Sequence, residues 1–285
     1  MKRFLQDSLG NGACLAAFGK HPGWDDHADD LGLVTPSLIE ARRILYLEGI
    51  SSQLASGAWD RLEENGEAIE FDHYWLWTRG ARGNQSIAGS LWASRDGKGR
   101  GRFPMIVCAQ GAQNIEFALF QQIDEFERRS KNAMTSDEVV EAWRAVSGQL
   151  KNIASDTTGG ILLTVPAAEI AGLIPRARNN KSRSIRLPSV AHSPLANLKF
   201  WRRFAAFVYG PSSLLLLFQP RQHLWTDLIV GEPAPADLFS LRASAMRLPA
   251  WHFQFSSEDI ETIERLRDGT LEAQNSSWFS RLFHR

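Results

Sequence analysis

The sequence predicts an α/β fold with a mainly antiparallel central sheet flanked by helices, and three observations predict it. The β-rich runs His73 to Thr78, Ser86 to Ser94 and Phe103 to Ala109 follow one another closely, with Gly/Arg/Asn and Gly/Lys/Arg turns between them. That is the pattern of an antiparallel meander. Ile115 to Arg129 and Ser136 to Ile153 then space apolar residues at helical intervals, and such helices must bury their stripes on a sheet face. Ahead of the meander, the small apolar run Gly12 to Gly19 supplies one more buried strand.

The elements follow in order. After the first strand, Pro22-Gly23 is a turn signal, so the acidic stretch His21 to Asp30 reads as a loop leaving the sheet. Thr35-Pro-Ser37 starts a helix whose apolar spacing runs from Leu38 to about Leu54 or Trp59, with Gly49 and Gly57 weakening its end. Beyond the meander and its two helices, Ile161 to Val165 is β-rich and Ala167 to Arg176 suits a short helix. Asn179 to Ser193 is basic, Ser-rich and loop-like. Leu195 to Tyr209 returns to helical spacing and Gly210-Pro211 stops it. Ser213 to Gln219, Leu224 to Val230 and Trp251 to Phe255 read as strands, with a helix over Ala236 to Ala245. Ser256 to Asp259 is a helix-start cluster, and the last dozen residues are read as polar and frayed. Residues 1–150 are expected to form one α/β domain, and residues 151–285 a C-terminal α/β extension or second lobe.

Composition narrows the function. Hydrophobic residues are 44% and charged residues 22% of the 285, which excludes disorder and rod-like folds. Lys+Arg and Asp+Glu are each 32, so no global field draws nucleic acid or an anionic membrane. The longest apolar run, Leu214 to Phe218, is too short to span a bilayer, and Met1 to Gly10 has no signal-peptide core. Cys14 and Cys108 lie in apolar runs and suit a reducing cytoplasm. Ten tryptophans favour partner contacts.

Three patterns are candidates for chemistry. His21, Asp25, Asp26, His27, Asp29 and Asp30 form a plausible set of divalent-metal ligands, which a metal-dependent hydrolase would use. Three of them are consecutive, however, and the blander reading is a solvated turn whose aspartates cap backbone N–H groups. Arg95, Lys98, Arg100 and Arg102 sit among glycines as in an anion-binding loop, without phosphate-loop spacing, and Asp96-Gly97 favours a tight hairpin turn. Arg176, Arg178, Lys181, Arg183 and Arg186 form a basic run that suits an acidic or phosphorylated partner, or simply a solvated loop. No nucleophile elbow or Cys–His pairing stands out. Neither a catalytic constellation nor a cofactor is expected.

Phe18-Gly-Lys-His-Pro22 followed by an acidic turn, and later Gly101-Arg-Phe-Pro-Met-Ile-Val-Cys-Ala109, resemble the TagF/ImpM family of type VI secretion-associated proteins. Its members carry a Gly-Lys-x-Pro start and a Gly-Arg-x-Phe-Pro strand in that order. Ser213 to Gln219, His223-Leu-Trp-Thr226 and Gly231-Glu-Pro233 to Phe239 resemble its C-terminal pattern, with two strands exchanged in order. Gly19, Lys20, Pro22, Gly101, Arg102, Phe103 and Pro104 map onto the motifs. Gly23-Trp-Asp-Asp-His27 replaces the family's Gly-Asp-Phe.

The resemblance implies a longin- or profilin-like sheet. It also implies a non-catalytic role in restraining assembly of a type VI secretion apparatus, by binding a forkhead-associated scaffold protein. The partner-binding surface is expected at Lys20, Trp24, Asp25, Asp26, His27 and Asp30 with Arg95 and Arg102. Trp24 stands between a turn and a run of acids, as an interface anchor does, or folds back as a plug on the following helix.

Overall fold

The computed structural model describes residues 12–79, 85–150, 153, 159–244 and 256–271. Its strands are β1 (Cys14–Lys20), β2 (His27–Leu31), β3 (Asp72–Arg79), β4 (Gln85–Ala93), β5 (Pro104–Ala112), β6 (Ser184–Pro188), β7 (Leu214–Pro220) and β8 (Trp225–Val230). They form one eight-stranded sheet in the order β2-β1-β5-β4-β3-β7-β8-β6, with every neighbouring pair antiparallel. The last three strands come from the C-terminal half and join the same sheet through β3 and β7, which pair from His73↔Pro220 to Arg79↔Leu214.

Period-two alternation makes this sheet two-sided. Leu15, Leu76, Val107, Leu217 and Leu228 face one core, against α4 (Leu119–Asn132), α5 (Ser136–Gln149) and α8 (Pro194–Tyr209). Phe18, Trp75, Trp77, Ile106 and Phe218 face the other core. Covering that side are α1 (Pro36–Arg42), a π-helical stretch Arg43–Ile50, α2 (Ser51–Ala55), α3 (Ala58–Glu64) and a 3₁₀ helix Pro235–Leu241. The described chain also has a short 3₁₀ helix, Gln113–Ile115, and the helices α6 (Ala167–Ala171), α7 (Leu173–Asn179) and α9 (Ser257–Asp268). Caps begin several of them, with Thr35 Oγ1 accepting from Leu38 N–H and Ser193 Oγ from Ala196 N–H, each before a proline.

Several expectations are corrected. The acidic stretch does not stay outside the sheet, because after Pro22-Gly23 the chain reverses and His27–Leu31 pairs with β1 as the edge strand β2. Asp29 and Asp30 point outward there, which suits an edge that must resist pairing with another chain. The single helix expected from Leu38 onward is broken into α1, the π-helical stretch and α2, and Gly57, at φ 65°, turns the chain into α3. Asn179 to Ser193 contains β6, with Arg186 buried, and is not simply a solvated loop. Ile161 to Val165 contributes a lone bridge, Leu163↔Ala191, and Ala236 to Ala245 is largely the 3₁₀ helix. The strand expected over Trp251 to Phe255 and the readings of both chain ends lie outside the described residues.

The tryptophan surplus also has another use than the one expected. Five of the eight described tryptophans, Trp59, Trp75, Trp77, Trp92 and Trp201, are buried. Trp75 lies in register with Gly89, and a Cβ at Gly89 would stand 2.2 Å from the indole Cε2. The ring therefore lies across a bare Cα, and overpacking there forces it off its rotamer. Gly89→Ala is expected to cost about 1–3 kcal/mol, read as a lower urea midpoint. An unchanged midpoint would show that the ring moves freely.

Candidate functional site

Antiparallel pairing puts the β1–β2, β4–β5 and β7–β8 loops at one end of the sheet. The two segments that carry the family resemblance meet there. Gly19, at φ 125°, lies against Pro104, whose carbonyl oxygen would be 2.3 Å from any Cβ, so a side chain is excluded both sterically and by backbone conformation.

Lys20 follows Gly19 and is 5% exposed. Its Nζ donates to Asp96 Oδ2 at 2.6 Å and to Asp26 Oδ1 at 2.7 Å, so it clamps one loop to the other. Asp96 is the hub. Its Oδ1 accepts the N–H groups of Lys98 and Arg100, and its Oδ2 also accepts Arg100 Nε at 2.8 Å. Burial pushes the Asp96 carboxyl up, but the hydrogen bonds from Lys20 and Arg100 outweigh it and hold the group far below the usual carboxylate range. Asp26 is likewise lowered, chiefly by the bond from Lys20. Gly97 N–H donates to the Trp24 carbonyl at 2.7 Å, and Arg100 Nη2 donates to the Asp25 carbonyl at 2.9 Å.

The loop is pinned on its other side by His21, which is buried. Gly23 N–H donates to His21 Nδ1 at 3.0 Å, so Nε2 carries the proton that bonds the Ser130 carbonyl at the end of α4. Burial lowers the affinity of His21 for a second proton, which agrees with that neutral state. Gly23 itself abuts α5, since a Cβ would stand 2.5 Å from Ser136 N. Trp24 is half-buried, packs against the α4/α5 core, meets the His21 ring edge-on at 5.7 Å and donates Nε1–H to Asp29 Oδ2 at 3.2 Å. It is neither a core plug nor a free ring.

The remaining residues of the expected surface sort by exposure. Asp25, Asp26, His27, Asp30, Arg95 and Arg102 are exposed, while Lys20 lies beneath them as the clamp. Arg102 pairs with Asp60 and Asp30 with Arg42. His27 Nδ1 lies 2.7 Å from Tyr46 Oη, in an edge-on group with Phe103, and the π-helical stretch is what places Tyr46 there. Among the described residues, no three His, Cys, Asp or Glu side chains converge as metal ligands would. The basic run is dispersed too: Arg176 and Arg178 end α7, Lys181 and Arg183 are exposed, and Arg186 is buried.

Two polar networks at this end escape sequence reasoning, because their members look unremarkable locally. Glu127 of α4 accepts Ser90 Oγ at 2.5 Å, Lys131 Nζ at 2.6 Å and both Nη groups of Arg221 from the β7–β8 turn. The Arg221 guanidinium lies 4.0 Å from the centroid of Tyr74, whose hydroxyl donates to Asp124. On the opposite face, Arg186 and Asp227 form a buried bidentate pair beside Trp225. Among the described residues, no helix is long and apolar enough to cross a membrane.

No family model matches the chain, and no curated protein matches it. Among solved structures it is similar to PA0076 from Pseudomonas aeruginosa, at 16% identity and a TM-score of 0.44, covering 85% of this chain and 100% of that one.

Proposed function

We propose that the chain is a non-catalytic adaptor that binds another protein through the β1–β2 loop, and that it regulates assembly of a type VI secretion apparatus with a forkhead-associated scaffold as the partner. The family resemblance supports the pathway and the partner. The observation that carries the binding role is the Lys20–Asp96–Arg100 clamp, which fixes an exposed, charged loop bearing Trp24. Ordering a loop before binding removes the entropy that association would otherwise cost, whereas a merely solvated turn gains nothing from such a clamp. The acids at the centre of the loop hold cations of this same chain, an architectural use rather than a reactive one.

Capture from the native host with the tagged protein tests this. Trp24→Ala is expected to reduce recovery of the partner about tenfold. The ring is only half-buried, so stability should fall by less than about 2 kcal/mol. Recovery equal to wild type overturns the assignment, and so does a collapse of Tm that accounts for the loss.

A further inference from the structure

We infer that the strip formed by Trp24, Met134 and the outer face of α5 docks a basic protein segment with a large apolar side chain, the apolar group seating on Trp24 and Met134 and the flanking Lys or Arg residues meeting the acids of α5. The inference rests on the adaptor reading of the β1–β2 loop and adds the chemistry of the partner.

The apolar part has two members. Met134 is 75% exposed, and Glu138 Oε2 accepts its backbone N–H at 2.7 Å, which fixes it at the head of α5. Gly23 packs directly on Thr135 and Ser136, bringing Pro22-Gly23-Trp24 alongside Met134-Thr135-Ser136. The exposed, unbranched and polarizable thioether of Met134 thus stands on the segment against which the turn bearing the half-buried Trp24 packs, an adaptable seat for an apolar side chain.

The charge is one-sided along α5. Glu138 is accounted for by its capping box with Thr135, but Asp137 and Glu141 form no ion pair among the described residues. Both stand on the outer face of α5 with Val140, Arg144 and Ala145. Asp25 is 83% exposed and only 3.9 Å from Lys98, its one described cation partner. Two unpaired acids facing one arginine, next to exposed apolar groups, complement a cationic segment.

Met134 is one of four methionines, so [methyl-¹³C]methionine labelling reports on it directly, and Met134→Leu assigns its signal. The probes are the peptides Lys-Lys-Leu-Phe-Leu-Lys-Lys and Glu-Glu-Leu-Phe-Leu-Glu-Glu. The basic peptide is expected to shift the Met134 methyl saturably at low salt and the acidic one to leave it in place, with buried Met105 as the internal control. The double variant Asp137→Lys/Glu141→Lys should weaken that binding about tenfold, and added salt should weaken it as well. A Met134 signal that ignores the basic peptide, answers both peptides equally or is indifferent to the charge reversal overturns the inference. The two readings fail separately. If Trp24→Ala abolishes host capture while the basic peptide leaves Met134 unmoved, the adaptor reading stands and this one falls. If the peptide binds but Trp24→Ala leaves capture intact, the reverse holds.

Discussion

Asp227→Ala is expected to cost about 3–5 kcal/mol of stability, whereas the double substitution Arg186→Met/Asp227→Leu should stay within about 2 kcal/mol of the wild type. Arg186 and Asp227 are 6% and 5% exposed, on paired positions of β6 and β8. The guanidinium donates Nε to Oδ1 at 2.7 Å and Nη2 to Oδ2 at 2.8 Å, bonds the Ser244 carbonyl at 3.2 Å and lies 4.3 Å from the centroid of the Trp225 ring. Burial pushes the Asp227 carboxyl up despite the opposing bonds from Arg186, so desolvation costs this carboxylate more than its partner returns. The ionised pair is therefore a weak source of net stability. Removing one member is costly for a different reason, since it strands a buried charge. Urea denaturation of both single variants and the double variant closes the cycle. A single variant as mild as the double would show that water reaches Arg186.

Acid is expected to destabilise the protein through His73 by about 4–5 kcal/mol between pH 6.5 and pH 3. The ring is 1% exposed; Nδ1 accepts the Asp72 N–H at 3.1 Å, and Nε2 has no hydrogen-bond partner among the described residues. Burial first, then the neighbouring His223, Arg221 and Arg186, carry its pKa from 6.5 down to about 3. The sign follows from which state takes up the proton. Below pH 6.5 the unfolded chain protonates His73 while the native chain does not, so the unfolded state gains as pH falls. The loss stops growing near pH 3, where the native histidine protonates too. Carboxylates titrate in the same range, so the difference from His73→Gln isolates the effect. The variant should show a shallower decline of stability with acid. Parallel curves for the two proteins would mean that the native ring takes up its second proton, at Nδ1, as readily as the unfolded chain does.

The strands with alternating or continuous apolar patterns were legible in the residues themselves. His73 to Thr78, Ser86 to Ser94, Phe103 to Ala109, Ser213 to Gln219 and Leu224 to Val230 are strands β3, β4, β5, β7 and β8 to within three residues at either end, and Thr35 stands at a helix N-cap. Interior strands must bury side chains on both faces of the sheet, and that demand writes itself into composition. The edge strands were not legible. Pairing on one side only lets β2 carry Asp29 and Asp30 outward, and its composition is that of a loop.

The loop from Lys20 to Asp30 was recognisable as a place of interest from its residue types, but their uses were not. Lys20 and Asp96 are 76 residues apart, as Arg186 and Asp227 are 41 apart. A lysine just ahead of an acidic turn and an arginine in a basic run both read as surface charges when only neighbours are considered. Sequence by itself determined where the chain can be helix or strand, because backbone geometry and side-chain period act over a few residues. Only the tertiary structure decided which charges went inside. Burying a charge is tolerable only where a partner of opposite sign is brought to it, and it is the order of strands across the sheet that brings Asp96 to Lys20 and Asp227 to Arg186.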